Sequence, residues 1–160
     1  MLFKRFAKLE RYLKFENRQK TMKVKDLMTR DVLTCAADDP IVNVARKMIE
    51  QDRGLLVVIE DNLSKKPIGV LSDRDLINRV LIKKLDPQKT TADQIATKKM
   101  ISIDPNAALV DATAIMKKSK VKRVVVLDDM GNLVGLLSQS DIIKQFLAIK
   151  DQLADLSAGL

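Results

Sequence analysis

The stretch "GVLSDRD" (Gly69–Asp75) returns later in the chain as "GLLSQSD" (Gly135–Asp141). Both phrases place a glycine, two aliphatic residues, a serine and an aspartate at the same internal spacing. They lie 66 positions apart in a chain of 160 residues. One copy would carry little information, but a phrase repeated at fixed spacing predicts a duplicated structural unit.

The rest of the duplication appears when the chain is aligned with itself at an offset of 68 positions. Residues 24–29 ("VKDLMT") match residues 92–97 ("ADQIAT"), and we call these the opening segments. Residues 56–61 ("LVVIED") match residues 124–129 ("VVVLDD"). The offset falls to 66 at the quoted phrases, because the loop before the first phrase is longer. Matched blocks in constant order indicate two copies of one unit.

Each copy has the same predicted order of elements, β-α-β-β-α. A short extended piece precedes an amphipathic helix, whose apolar residues recur at spacings of three and four. A β-branched run follows ("LLVVI" or "VVVL"), which is typical of a strand buried on both faces. The quoted phrase then supplies the second strand and the start of the second helix. The predicted helical stripes are Val42, Ala45, Met48 and Ile49 in the first copy and Leu109, Ala112, Ile115 and Met116 in the second.

These patterns predict an α/β (α+β) fold in which the two repeats pack sheet to sheet about a pseudo-twofold axis. A basic leader precedes the repeats: residues 1–30 hold ten basic and three acidic residues, which is +7 of the net charge of +8. The leader is predicted to be an amphipathic helix, whose apolar face comprises Leu2, Phe6, Leu9 and Leu13. The predicted divisions are a leader (1–22), repeat 1 (23–82), a linker (83–90), repeat 2 (91–150) and a C-terminal helix end or tail (151–160).

Composition argues against an enzyme. The chain has no histidine, which excludes Ser-His-Asp and Cys-His catalysis and histidine metal sites. Cys35 is the only cysteine, so an intrachain disulfide and a cysteine zinc site are excluded as well. No apolar run reaches the ~20 residues of a membrane span, and the N-terminus lacks the apolar core of a secretory signal. We therefore expect a cytoplasmic protein without catalytic residues or a metal site.

Two such units, each ending in a glycine-to-aspartate phrase, resemble a tandem pair of cystathionine-β-synthase (CBS) domains, the Bateman module. The resemblance covers about residues 23–150, and it also rests on "DLMT" near the start of the first copy. It implies a regulatory protein that needs no cofactor. Its ligand would be an adenosine-containing nucleotide in the cleft between the repeats: AMP, ADP, ATP, S-adenosylmethionine or a cyclic dinucleotide.

The Ser-x-x-Asp part of each phrase supports two compatible interpretations. Ser72 and Ser138 can cap the second helices, with Asp75 and Asp141 completing a capping box. Alternatively, a helix N-terminus favours phosphate, and a carboxylate can accept the two hydroxyls of a ribose. The resemblance implies the second role, with the aspartate holding the ribose and the serine reaching towards ribose or phosphate. The glycines are predicted where another backbone, or a ligand, comes close.

Basic residues distinguish the two copies. "KKSKVKR" (Lys117–Arg123) ends in a basic pair at a position where the first copy has Gly54 and Leu55. The resemblance implies that Lys122 and Arg123 reach phosphates, and we expect them to cross to the site built on Asp75. The alternative is a solvated helix end. Arg74 of the first copy aligns with the uncharged Ser140 of the second, so we expect the Asp75 site to suit a polyphosphate better.

The resemblance also implies that each adenine pocket uses the first extended piece of its copy, although the aliphatic residues there could simply be core. The first predicted site comprises Leu33, Thr34, Ser72, Arg74, Asp75, Lys122 and Arg123. The second predicted site comprises Ile101, Ser102, Ser138 and Asp141.

Two hypotheses about function follow. The first is a nucleotide-sensing homodimer that signals to an effector protein by a change in conformation or in dimer arrangement. The second is a dimeric scaffold whose leader, residues 1–20, binds nucleic acid or an anionic membrane surface. A bland alternative for the leader is a helix that docks on the body or on a second subunit.

Overall fold

The computed structural model describes Glu10, residues 22–61, residue 63 and residues 66–158. The predicted leader helix therefore lies outside the described residues, except for Glu10 and Met22. None of the helices in the described part of the chain is long and apolar enough to cross a membrane.

Both copies contain the predicted β-α-β-β-α unit, preceded by one helical turn. The first copy consists of α1 (Val24–Leu27), β1 (Thr34–Ala36), α2 (Ile41–Glu50), β2 (Leu55–Ile59), β3 (Pro67–Ser72), α3 (Asp73–Leu76) and a π-helix (Ile77–Leu81). The second consists of α4 (Ala92–Ile95), β4 (Ser102–Ile103), α5 (Leu109–Ser119), β5 (Arg123–Leu127), β6 (Leu133–Ser138) and α6 (Gln139–Ala158).

Each copy forms its own three-stranded sheet, with the orders β1-β2-β3 and β4-β5-β6. The first two strands of each sheet are parallel, and the last two are antiparallel. Thr34 pairs with Val57, while Leu55 pairs with Ser72. The start of β1 and the end of β3 therefore lie at the same end of the first sheet, which is also where the serine–aspartate phrase begins.

The two repeats exchange their opening segments. The N–H of Thr29 donates to the carbonyl of Leu136 at 2.9 Å, and the N–H of Leu136 donates back to Thr29 at 2.9 Å. Thr97 and Val70 form the matching pair, at 2.9 and 3.1 Å. Each opening segment therefore adds to the last strand of the other repeat. The sequence divisions mark the repeated units, whereas each packing unit combines residues of both copies.

Two hydrophobic cores follow from this exchange. The first comprises Cys35, Ile41, Val44, Met48, Leu56, Val58, Leu71, Val80, Ala92, Ile95 and Ala96. The second comprises Val24, Met28, Ile103, Leu109, Ala112, Met116, Val124, Val126, Leu137 and Ile142. Val57 and Val125 alternate to the opposite faces of the central strands and are also buried, at 0% and 3% exposure. Burial on both faces is what the predicted sheet-to-sheet packing requires.

The phrase glycines are needed for the exchange. A Cβ added to Gly69 would lie 2.9 Å from the Cβ of Ala96 and 3.2 Å from the carbonyl oxygen of Thr97. A Cβ added to Gly135 would lie 2.5 Å from the sulfur of Met28. Both glycines therefore make room for an opening segment, which confirms the prediction that another backbone comes close.

The buried stripe of α2 differs from its prediction. Ile49 was expected in the core, but its side chain is 82% exposed, and the buried residues are Ile41, Val44 and Met48. The N–H of Ile41 donates to the carbonyl of Thr90 at 2.9 Å, which holds the start of the helix against the segment before α4. The buried residues recur at spacings of three and four, and Ile49 lies about 100° around the helix from Met48, which places it outside their stripe. In α5 the predicted stripe is confirmed, with Ile115 half-buried.

Candidate functional site

Both serine–aspartate phrases form complete capping boxes. The Oδ2 atom of Asp75 accepts the N–H of Ser72 at 2.9 Å and its hydroxyl at 2.7 Å, and the N–H of Asp75 faces the serine Oγ at 3.2 Å. Asp141 accepts the N–H and hydroxyl of Ser138 at 2.9 and 2.6 Å, again through Oδ2. The capping interpretation is therefore confirmed in both repeats. Each cap uses a single carboxylate oxygen, so Oδ1 of each aspartate is not part of it.

Arg79 occupies the second oxygen in the first repeat. Its Nη2 lies 3.2 Å from Oδ1 of Asp75, one helical turn before it, and both side chains are partly shielded, at 37% and 19% exposure. The same guanidinium donates to the carbonyl of Ile95 at 2.6 Å and to Oγ1 of Thr97 at 2.9 Å. Arg79 thus joins the Asp75 carboxylate to the opening segment of repeat 2.

Sequence reasoning missed Arg79. The signal was available, because an arginine four residues after an aspartate on a helix is a recognised ion-pair spacing. The sequence could not predict the hydrogen bonds of Arg79 with the opening segment of repeat 2, since Ile95 and Thr97 are 16 and 18 positions away. The residue also lies in the π-helix, an uncommon local geometry that often occurs at functional positions.

The second repeat lacks this ion pair. The position of Arg79 is taken by Gln145, and the helix there continues as the 20-residue α6. Within the part of the chain that the structure describes, no donor contacts Oδ1 of Asp141. The two phrases therefore have the same cap, but Oδ1 of Asp75 is paired with Arg79, whereas Oδ1 of Asp141 is open to a ligand.

The first extended pieces lie at the same sheet ends as the phrases. Leu33 and Ile101 are half-buried against the two cores, and their carbonyls accept strand N–H groups of Val57 and Val125 at 2.9 and 3.0 Å. Thr34 is half-buried, and Ser102 is exposed. The aliphatic pair is thus core in part, as the alternative interpretation expected, while the polar residue after each remains accessible at the sheet end.

A further cation lies at this end of repeat 1. The Nζ of Lys47, on α2, donates to the carbonyl of Thr34 at 3.1 Å, and its side chain is half-buried. The matching residue in repeat 2 is Ile115. The sequence prediction did not include Lys47, because an isolated lysine on an amphipathic helix gives no signal of which strand it contacts.

The basic pair lies beside the phrase of its own repeat. Arg123 pairs with Ser138 in the second sheet, and the carbonyl of Lys122 accepts the N–H of Gln139 at 2.9 Å. Both side chains are exposed. Among the residues that the structure describes, neither contacts the Asp75 phrase, so their crossing to that site stays a prediction. Arg74 is exposed on α3, immediately before Asp75.

Cys35 is a core residue with 1% exposure. Burial, followed by the negative charge of Asp39, raises the pKa of its thiol to about 12, against a weaker opposing effect of Lys47. The thiol is therefore protonated at neutral pH and is a poor nucleophile. No group of three or more cysteine or acidic side chains suited to a metal ion occurs within the described residues.

Comparison with known proteins identifies the repeated unit. The CBS domain family matches the chain twice, at residues 24–82 and 92–148. The CBS domain-containing protein YhcV of Bacillus subtilis is 32% identical over 136 residues, which is 85% of this chain and 89% of that protein. An uncharacterized protein of Methanocaldococcus jannaschii is 33% identical over 118 residues, and the match spans 74% of this chain but only 63% of the relative.

Among solved structures, a CBS domain protein of Pyrobaculum aerophilum complexed with AMP has a TM-score of 0.65 and 27% identity. The similarity covers 75% of this chain and 89% of that protein. The two family matches span both sheets and both serine–aspartate phrases.

Proposed function

We propose that this chain, which belongs to the CBS domain family, is a regulatory protein that binds an adenosine-containing nucleotide at its serine–aspartate phrases. The observation that carries the proposal is the geometry of the phrase aspartates. Both capping boxes engage only Oδ2, so a cap and a ligand can share one carboxylate wherever Oδ1 is not already paired with Arg79. AMP in the structure of the Pyrobaculum aerophilum relative supports an adenosine ligand.

The recognition chemistry follows from the neighbouring groups. Asp141 stands in the first turn of α6, where backbone N–H groups favour a phosphate. Arg123 and Lys122 lie beside Ser138 and Gln139, so they would supply positive charge to this phosphate, in place of the predicted crossing to the Asp75 site. Leu33 and Ile101 would contact the adenine with aliphatic side chains, because the repeats lack aromatic residues except for Phe146.

Signalling would use the connection between the repeats. Because each opening segment packs on the other repeat, a ligand that draws the two phrases together changes contacts in both cores. The ligand would then increase the population of an arrangement of the two repeats that already exists without it. We propose that the chain acts as a homodimer and passes this shift to an effector protein, without catalysing a reaction and without a required cofactor.

Exposed apolar side chains on the second helices support the homodimer. In repeat 1 these residues lie in the π-helix and just after it, and in repeat 2 they lie at spacings of three and four on α6. They are Ile77, Leu81, Ile82 and Leu85 in the first repeat and Ile143, Phe146 and Leu147 in the second. Exposed apolar side chains grouped on one helix are typical of subunit contacts.

Isothermal titration with AMP, ADP, ATP, S-adenosylmethionine and a cyclic dinucleotide tests the ligand. We expect at least one of them to bind, and the double variant Asp75→Asn with Asp141→Asn to weaken that binding by tenfold or more, because one charged acceptor is lost at each phrase. Asparagine retains an oxygen for the cap.

Asp26→Asn is the matched control. Asp26 accepts the N–H of Lys23 at 2.9 Å at the start of α1, which is the same carboxylate-to-N-cap hydrogen bond without a serine hydroxyl, and it belongs to neither phrase. Its binding should equal that of the unmodified protein. Absence of binding by all five ligands, or equal binding by the double variant, would contradict the proposed function.

A further inference from the structure

We propose that Arg79 determines which repeat accepts the nucleoside: it occupies the Asp75 carboxylate, so the ribose binds at Asp141. This assignment rests on the proposed function and goes beyond it, because the two phrases have the same sequence pattern and the same cap. The difference between them is the presence of Arg79 in one repeat and Gln145 in the other.

Counting acceptor positions gives the physical reason. An ionised carboxylate offers about four lone-pair positions, two on each oxygen. Oδ2 of Asp75 already accepts the N–H and the hydroxyl of Ser72. Oδ1 is ion-paired with Arg79, whose Nη2 lies 3.2 Å away, so the guanidinium covers this second oxygen, whereas a ribose diol needs acceptor positions for two hydroxyl hydrogens. The first carboxylate therefore cannot hold the diol while the ion pair is present.

Asp141 meets the requirement. Its Oδ2 accepts the N–H and the hydroxyl of Ser138, as in the first repeat. Its Oδ1 contacts no donor within the described residues, so both lone-pair positions of that oxygen are available. The side chain is half-buried, which favours hydrogen bonds to its charge over competition by water.

Arg79 cannot release Asp75 freely, because two hydrogen bonds hold its guanidinium in addition to the ion pair. It donates to the carbonyl of Ile95 and to Oγ1 of Thr97. Ile95 is the last residue of α4, so its carbonyl belongs to the helix end that lacks an intrahelical donor. The opening segment of repeat 2 thus fixes the guanidinium in the position that blocks the Asp75 carboxylate.

The two positions can be interchanged as a test. Arg79→Gln gives repeat 1 the residue of repeat 2, and Gln145→Arg gives repeat 2 the residue of repeat 1. Titration calorimetry with adenosine, which has no phosphate, isolates recognition of the ribose and base. We expect one site in the unmodified protein, a second site in the Arg79→Gln variant, and a loss of affinity of about tenfold or more in the Gln145→Arg variant.

The location of the site is checked by backbone amide NMR. Adenosine should shift the amides of Ser138 and Asp141 in the unmodified protein and should shift those of Ser72 and Asp75 only in the Arg79→Gln variant. Thermal unfolding of each variant shows whether it is folded. If Arg79→Gln fails to fold, Gln145→Arg and the NMR experiment on the unmodified protein still decide the assignment.

The outcomes separate the two proposals. Two equal sites in the unmodified protein, shifts at Ser72 and Asp75 without substitution, or unchanged affinity in the Gln145→Arg variant would overturn the assignment while leaving nucleotide binding intact. Absence of binding by adenosine and by all five ligands of the titration panel would overturn the proposed function and, with it, the assignment.

Discussion

The two repeats show how one backbone pattern can carry different chemistry. Both have the same strand order, the same exchange of opening segments and the same serine–aspartate cap. They differ in the residues that surround the cap. Arg79 and Lys47 of repeat 1 correspond to Gln145 and Ile115 of repeat 2. The fold is thus duplicated at the level of backbone contacts, while the charge around each carboxylate is not.

The basic side chains near the two phrases also differ in their contacts. In repeat 1, Arg79 and Lys47 donate to backbone carbonyls, so they serve the fold. In repeat 2, Lys122 and Arg123 are exposed at the end of the sheet and remain available to an anion. A ligand with phosphates would therefore meet two exposed cations beside the phrase of repeat 2, whereas Arg74 is the exposed cation of the phrase in repeat 1.

Substitutions in the amphipathic helices α2 and α5 should give the largest effects. Met48 and Met116 are 5% and 2% exposed at matching positions, so Met48→Ala and Met116→Ala should each lower the free energy of unfolding by about 2–5 kcal/mol. Ile49, at 82% exposure, provides the contrast, and Ile49→Ala should have almost no effect. Ile115→Ala should fall between these values. Denaturant unfolding measures all four, and a large loss for Ile49→Ala would contradict the orientation of α2.

The phrase glycines should respond unequally to alanine. Gly135 is closer to its neighbour, but that neighbour is the flexible side chain of Met28, which can rotate away. Both glycines also face a backbone carbonyl oxygen, that of Thr97 at 3.2 Å for Gly69 and that of Thr29 at 3.1 Å for Gly135, but only Gly69 faces a Cβ atom, that of Ala96, which cannot move without its backbone. Gly69→Ala should therefore lower the free energy of unfolding by about 1–3 kcal/mol, and Gly135→Ala by less. A larger loss for Gly135→Ala in thermal unfolding would contradict this order and show that residues 24–29 pack more tightly on Gly135 than residues 92–97 pack on Gly69.

Much of this arrangement could be predicted from the sequence, because it is local or periodic. The duplicated phrases, the buried β-branched strands and the Ser-x-x-Asp caps all involve residues within a few positions of each other. The contacts made by Arg79 with Ile95 and Thr97 could not be predicted, because they depend on the exchange of opening segments. The prediction for Ile49 was wrong because α2 has two adjacent apolar stripes, and the sequence pattern alone does not show which of them faces the core.

Cys35 gives repeat 1 a pH dependence that repeat 2 lacks, since the matching residue is Ile103. The pKa of the buried thiol is raised from 9.0 to about 12, so the unfolded chain ionises first as pH rises. The stabilisation is complete below pH 9 and is lost progressively towards pH 12. The difference in stability between the unmodified protein and Cys35→Ala should therefore shrink by about 1.4 kcal/mol from pH 8 to pH 10. A constant difference in denaturant unfolding would contradict the thiol's assignment as a protonated core group.

The caps should show the smallest difference between the repeats. Ser138→Ala should lower the free energy of unfolding by about 1 kcal/mol, because a helix N-cap is lost. Ser72→Ala should have a smaller effect, since Arg79 continues to hold Asp75 at the start of α3. Combining Ser72→Ala with Arg79→Gln removes that support, and the loss assigned to the serine should then rise to the value for Ser138. This double-mutant cycle measures the coupling of Arg79 to the cap. Equal effects of Ser72→Ala with and without Arg79 would mean that the ion pair does not fix the carboxylate, which removes the reason for the two repeats to differ in ligand binding.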